Sequence, residues 1–228
     1  MLQPSAPQPA VLYSFRRCPY AMRARMVVLA SKLKIELRDI LLKDKPAQMV
    51  AASPKATVPV LILEDGRVLE ESLDIMLWAV SLNDPLSLYP DDDPTRFTID
   101  ELIAENDGPF KSALDQYKYH VRFPENSKEN YRSEGEAFLA KLNERLREHP
   151  YLMGTQASLA DIAIFPFIRQ FANSDRDWFD ASPYPNLHKW LNTWTTSEDY
   201  LNIMKKRPIW NEEAAPCYFP SLAQQVDS

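Results

Sequence analysis

The chain has 228 residues, 45% of them hydrophobic and 25% charged, the balance of an ordinary globular protein able to bury one large core or two small ones. A net charge of −6 excludes an easy fit to phosphate backbones, and with only 4 glycines there is no GxGxxG or GxxxxGK[ST] nucleotide loop. No apolar run approaches the roughly 18 residues that cross a membrane, and the start lacks an export signal, so the expectation is a cytoplasmic protein without membrane or nucleic-acid partners.

Residues 1–10 are rich in Pro, Gln and Ser and read as a flexible lead-in. Val11 to Phe15 is a short β-prone run that ends at Arg16-Arg17-Cys18-Pro19. Ala21 to Lys32 then reads as a helix, with Met22, Met26, Leu29 and Leu33 on one face. Pro19 suits its first turn, where a missing N–H costs nothing. Cys18 therefore stands where a strand hands over to a helix. A second strand is expected over Ile35–Leu42, broken by Lys43-Asp44-Lys45-Pro46, and a third over Val58–Leu63. Pro59 is expected to begin that strand, through a cis peptide bond in one reading, because proline inside a sheet removes a ladder donor. Glu64-Asp65-Gly66-Arg67 reads as a hairpin turn, Val68-Leu69 as the returning strand, and Leu73–Leu82 as a helix with Leu73, Met76, Leu77 and Val80 on one face. The order over residues 11–82 is β-α-β, a connection, then β-β-α, which is the thioredoxin-like order.

Residues 83–93 are dense in Asp-Pro and Tyr-Pro breakers and read as a linker. From 94 to 215 the pattern is helical. Phe110, Ala113, Leu114, Tyr117 and Val121 share one helical spacing, and Tyr131, Phe138, Leu139, Leu142 and Leu146 another. Leu159–Phe171 is apolar nearly all round, the mark of a helix inside a bundle, with Pro166 expected to kink it. Ser158-Leu159-Ala160-Asp161 has the form of a capping box. Residues 216–228 read as a tail. The expected fold is thus an α/β thioredoxin-like domain followed by an all-helical domain. The 3 histidines have no neighbours at ligand spacing, so no metal is expected. Cys18 and Cys217, far apart in sequence, are expected to be free thiols.

The chemistry concentrates at Cys18. The thiolate, not the thiol, attacks disulfides. A helix N-terminus favours it, as do nearby cations, and Arg16, Arg17, Arg23 and Arg25 supply charge. The plain alternative is an inert buried cysteine. Ser72, at the start of a helix, is either an N-cap or a carboxylate anchor, and the two roles can coexist.

The string Cys18-Pro19-Tyr20-Ala21 resembles a glutaredoxin active site whose second cysteine is replaced by Ala21. Together with Met22-Arg23-Ala24-Arg25, Leu42-Lys43-Asp44-Lys45-Pro46, Val58-Pro59-Val60-Leu61 and Glu71-Ser72, it resembles the omega-class glutathione transferases. The Ser-x-x-Asp box after Tyr151-Leu152-Met153-Gly154 is similar to that of the family's C-terminal domain. The resemblance implies glutathione as co-substrate and a homodimer with the site at the domain boundary. It implies Glu71 and Ser72 on the γ-glutamyl group, Val58 offering its backbone to the cysteinyl part before Pro59, and Lys45 on the glycyl carboxylate. Tyr20 either lines the site or packs beside it. Among the aromatics of the helical domain, Tyr117 and Trp178 are the candidates for a second-substrate pocket. The stretch Ser53-Pro54-Lys55-Ala56-Thr57 departs from the family in lacking a glycine before Val58. With no cysteine three positions after Cys18, the implied reaction is monothiol exchange with a small or mixed-disulfide substrate. Glutathione conjugation or isomerisation of small electrophiles, and a binding role without catalysis, are the rivals.

Overall fold

A computed structural model describes residues 9–221. The lead-in expected over 1–8 and the tail residues 222–228 lie outside the described part. Contacts divide the chain into two units, one of residues up to Pro85 together with those from Asn202 onward, the other of Leu86–Leu201.

The first unit holds a five-stranded sheet in the order β4-β3-β1-β2-β5. The strands are β1 (Val11–Ser14), β2 (Ile35–Asp39), β3 (Val60–Ile62), β4 (Val68–Leu69) and β5 (Tyr218–Phe219). β1 pairs parallel to β2, with Leu12 opposite Leu37, and antiparallel to β3, with Tyr13 opposite Val60. A parallel pair needs a crossover, and α1 (Pro19–Ala30) supplies it. Leu12 and Tyr13 point to opposite faces and both are fully buried, so the sheet is covered on both sides there. The hairpin between β3 and β4 turns at Gly66, whose φ of +84° is open to glycine at no steric cost.

Several elements differ from their expected form. α1 begins at Pro19 and is buried at Pro19 and throughout Ala21–Val28, so no single stripe of Met22, Met26, Leu29 and Leu33 faces the core; Leu29 is half-buried and Leu33 lies past the helix end. β2 stops at Asp39, and Leu41 and Leu42 are exposed. The connection after it contains a short helix, α2 (Ala47–Ala52). β3 is shorter than Val58–Leu63 and starts after a cis Val58–Pro59 bond. α3 (Ser72–Leu82) buries Ser72, Ile75, Met76 and Ala79 rather than Leu73, Leu77 and Val80. The i, i+3, i+4, i+7 stripe is set by the small Ser72 and Ala79 as well as by bulk.

The described part of the chain's end is not a loose tail. β5 pairs antiparallel to β2, with Ile35 opposite Phe219. The helical reading of 94–215 therefore runs too far, because the segment from Asn202 belongs to the first unit.

The second unit is helical: α4 (Asp93–Glu105), a π-helical turn at Asn106–Phe110, α5 (Lys111–Lys118), α6 (Lys128–Arg145), α7 (Leu159–Ala172), α8 (Arg176–Ala181) and α9 (Pro185–Thr196). Ala113, Leu114 and Tyr117 of α5 are buried as their spacing predicts, but Val121 lies past the helix and is 82% exposed. Tyr131, Phe138, Leu139, Leu142 and Leu146 are all buried. α7 is the central helix, with twelve buried residues from Leu159 to Ala172. At its start the buried Asp161 carboxylate accepts from Ser158 N (2.9 Å), Ser158 Oγ (2.7 Å), Leu152 N (3.0 Å) and Trp190 Nε1 (2.8 Å). Burial pushes this carboxyl above its ordinary range against the pull of those donors. The box thus caps α7 and ties it to α9.

Candidate active site

The turn after β1 places the cysteine. Cys18 N donates to Phe15 O at 3.0 Å, and Cys18 O accepts from Met22 N at 2.8 Å. Cys18 is therefore the N-cap of α1, with an extended φ of −73° and ψ of 124°, and Pro19 follows at the first helical position. Its side chain caps no backbone N–H of the helix. It is half-buried, packed against the apolar cluster of Tyr13, Ile40, Met49, Val58 and Val60. Its Sγ lies 3.6 Å from Val58 O, within reach of a weak S–H donation. The thiol thus faces the carbonyl that immediately precedes cis-Pro59.

Two buried arginines lie on the same helix and do different things. Arg25, wholly buried, bonds Ser14 Oγ, Phe15 O (3.5 Å) and Arg16 O (2.7 Å). These are the three residues that lead into the cysteine turn. Burial lowers its pKa to about 10, while negative charge on Asp39 and on Cys18 holds it up. Asp39, at the end of β2, is pushed up by burial and pulled down by Arg25, Arg207 and Arg16. Arg23, 2% exposed, turns instead to α3, donating Nε–H to Ser72 Oγ at 3.0 Å, and its guanidinium lies 5.1 Å from the Tyr20 ring. So the four arginines near Cys18 do not act alike: Arg23 serves Ser72, and Arg17 is exposed beside Phe15 at 5.7 Å.

The stretch before Val58 is bound to the start of α3. Ser53 Oγ donates to Glu70 at 2.5 Å, and Lys55 Nζ pairs with Glu71. Where the expected glycine is missing, Ala56 holds a φ of +52°, a left-handed conformation that costs a residue with a Cβ about 1–2 kcal/mol. Glu71 is the N-cap residue of α3 with its carboxylate exposed on Lys55, and Ser72, the first helical residue, is buried. The expectation that Ser72 caps α3 is corrected: its oxygen takes the Arg23 proton instead.

Contacts therefore join Cys18 to Val58, the stretch before Val58 to Glu70 and Glu71, and Ser72 through Arg23 to Tyr20. Lys45 is exposed in the loop before α2, next to Pro46, the N-cap of that helix, and among the described residues no contact joins it to this set. In the helical unit, Tyr117 and Trp178 both touch Phe171, at ring distances of 4.8 and 6.1 Å. Tyr117 is fully buried with its hydroxyl unpaired, and burial raises its pKa to about 12. Arg132 covers the Trp178 ring at 4.5 Å. Sequence reasoning missed Lys55 and the separate tasks of Arg23 and Arg25. Two residues apart on a helix, those arginines point about 200° from each other, and that signal was available.

The arrangement can present a sulfur nucleophile at a helix N-terminus, beside a backbone carbonyl for an extended peptide and a helix start for a carboxylate. Residues 12–85 match the family model of the glutathione S-transferase N-terminal domain, and residues 125–193 that of the glutathione S-transferase C-terminal domain. The chain is 32% identical over 208 residues to Protein IN2-1 homolog A of Oryza sativa subsp. japonica, covering 87% of this chain and 81% of that one. It is 26% identical over 187 residues to glutathione S-transferase omega-1 of Rattus norvegicus, covering 80% and 75%. The crystal structure of a glutathione transferase family member from Pseudomonas fluorescens pf-5, with two glutathione bound, has the same fold, with a TM-score of 0.76 at 18% identity over 88% of this chain and 94% of that one. Two matched domains in their usual order, and a relative alike over most of both chains, make this protein a member of the glutathione S-transferase family.

Proposed function

We propose that the protein is a glutathione-dependent thiol transferase that works through Cys18 by a monothiol route. The observation that carries this reading is the half-exposed thiol at the N-cap of α1, facing the carbonyl that precedes cis-Pro59. The helix N-terminus and the field of Arg25 favour the sulfur as an anion. A hydroxyl at this point could hold a glutathione thiolate by a hydrogen bond but could not form a disulfide with it. A cysteine there can form a bond with the glutathione sulfur.

The Cys18 thiolate attacks the glutathionyl sulfur of a mixed disulfide; the new S–S bond forms as the old one breaks, and the partner leaves as a thiolate. A second glutathione thiolate then attacks the glutathionyl sulfur on Cys18, giving glutathione disulfide and the free Cys18 thiolate. The chain's work is to lower the thiol's proton affinity and to hold the glutathionyl group in line. Val58 offers backbone for an added strand, and Ser72 with the start of α3 offers donors to the γ-glutamyl carboxylate. Glu71 offers an acceptor to its ammonium, in exchange for Lys55.

The test is glutathione-dependent reduction of a small mixed disulfide by the native protein and by Cys18→Ser. At least a hundredfold loss in the variant is expected, because serine is a far weaker nucleophile towards sulfur. Retention of full activity would remove Cys18 from the mechanism. Turnover of an aryl halide by both proteins, without disulfide reduction by either, would move the reading to conjugation.

A further inference from the structure

The start of α3 is an unfriendly place for an anion. Glu70 and Glu71 immediately precede it and Asp74 lies in its first turn, and the nearby cation Lys55 is paired with Glu71. The positive end of the helix dipole is worth about half a charge. That is a weak attraction when set against three carboxylates. A buried guanidinium is bonded to the first residue of the helix instead. Arg23 reaches from α1 into the interior, 2% exposed, and its Nε is 3.0 Å from Ser72 Oγ, itself on a residue only 3% exposed.

The geometry of this bond fixes the direction of the hydroxyl. A guanidinium can only donate. The Ser72 oxygen is therefore the acceptor, and its own proton is left to be given elsewhere. A hydroxyl polarised by a cation behind it is a better donor than a free one, because bonds to charged groups and chained bonds strengthen each other at low dielectric. The interior position matters too: a buried charge is screened less by salt than a surface lysine is.

We propose that Arg23 is the positioning residue of the γ-glutamyl carboxylate: by donating to Ser72 Oγ it fixes that hydroxyl as a donor toward the ligand. This rests on the glutathione reading above and deepens it. Arg23 touches no reacting atom in this account. It acts through Ser72, and its effect is confined to the ligand end that carries the carboxylate.

The experiment uses two probes, glutathione and its analogue with 4-aminobutyrate in place of the γ-glutamyl residue, which lacks only that carboxylate. Affinities of both are measured by titration calorimetry on the full chain, as native protein and as Arg23→Gln, Arg23→Lys and Ser72→Ala. The native protein is expected to prefer glutathione. In Arg23→Gln glutathione affinity falls about tenfold to hundredfold, the range for losing a charge-assisted donor, while the analogue's affinity stays the same. Arg23→Lys, which keeps the charge, keeps part of the preference. Ser72→Ala removes the preference as well, and the loss on combining it with Arg23→Gln is less than the sum of the single losses.

Equal weakening of both probes by Arg23→Gln would make Arg23 a packing residue and overturn the proposal, as would an unchanged preference. If Arg23→Gln does not fold, the arms that decide are Arg23→Lys and Ser72→Ala, read by the same ratio of affinities. Failure of the native protein to bind glutathione removes the glutathione reading itself, and the proposal falls with it; a native protein that binds while the variants keep its preference removes only the role of Arg23.

Discussion

Arg25 is a wholly buried charge on the helix that Cys18 caps. Its guanidinium fixes the turn by bonds to Ser14, Phe15 and Arg16, and Cys18 lies within its field. Asp39 faces it from β2, and Arg16 and Arg207 share the region. Removing the Arg25 charge while Asp39 stays shifts the local balance toward negative. A negative surround disfavours the thiolate, so the thiol of Arg25→Gln ionises at higher pH. The midpoint of the pH profile for Cys18 alkylation by iodoacetamide is expected to rise in Arg25→Gln. Arg16 and Arg207 remain and limit the rise. An unchanged midpoint with a lower melting temperature would leave Arg25 a purely structural clamp. The placement of Cys18 and Ser72 at helix starts was legible because short local patterns mark it: a proline after a strand end, a serine before an apolar helix. The separate tasks of Arg23 and Arg25 were missed, although their spacing on the helix held the signal, because only their shared charge was counted. Their opposite directions on α1 decide which one reaches Ser72 and which one reaches the cysteine turn.

At the scale of elements, the helical unit turns on how closely α6 can approach α7. Gly135 of α6 lies against the Phe171 ring, and a Cβ built there would stand 2.5 Å from Phe171 Cε2. Phe171 is fully buried and already packed on Phe110 and Tyr117, at 5.5 and 4.8 Å between rings. The ring therefore has nowhere to go without moving its neighbours. Gly135→Ala gains about 1 kcal/mol of helix propensity and loses about 1–3 kcal/mol, occasionally more, to overpacking. At a contact this short the second effect wins, and a net destabilisation is expected in urea or thermal unfolding. A variant as stable as the native protein would show that α6 and α7 can slide apart freely. The core of this unit was readable because α7 is apolar on every side and its Ser158–Asp161 box stands at its start. The close approach at Gly135 was not, since a glycine in a helical pattern gives no sign of what faces it. Likewise α2 left no apolar period long enough to read: it is six residues, of which only Met49 is buried.

For the whole molecule, the lesson lies in the end of the chain. Order in sequence suggested that everything after the helices was tail, yet residues from Asn202 return to the first unit. Trp210 N donates to Asp39 O at 2.8 Å, its ring meets Tyr13 edge-on at 5.9 Å, and Arg38 lies over it at 4.4 Å. Arg16 Nη1 reaches Met204 O at 3.4 Å, so the same segment touches the turn that carries Cys18. A two-residue strand has too little pattern to be seen in a sequence; its stability comes from the β2 edge it covers. That makes Phe219 a test of how far the first unit depends on the chain's end. It is 1% exposed, stands opposite Ile35, and has the Arg207 guanidinium 5.2 Å from its ring. Truncating a buried phenylalanine to alanine costs about 3–5 kcal/mol where the site cannot collapse. If β5 is an integral strand, Phe219→Ala lowers unfolding stability by an amount in that range, and hydrogen exchange at Ile35 and Leu37 speeds up together with it. The two amides report on the edge directly, because Leu37 N donates to Cys217 O at 2.8 Å. A loss of less than about 1 kcal/mol, well below the range for a buried phenylalanine, with exchange unchanged, would mean that β2 is a sound edge on its own and that β5 only rests on it.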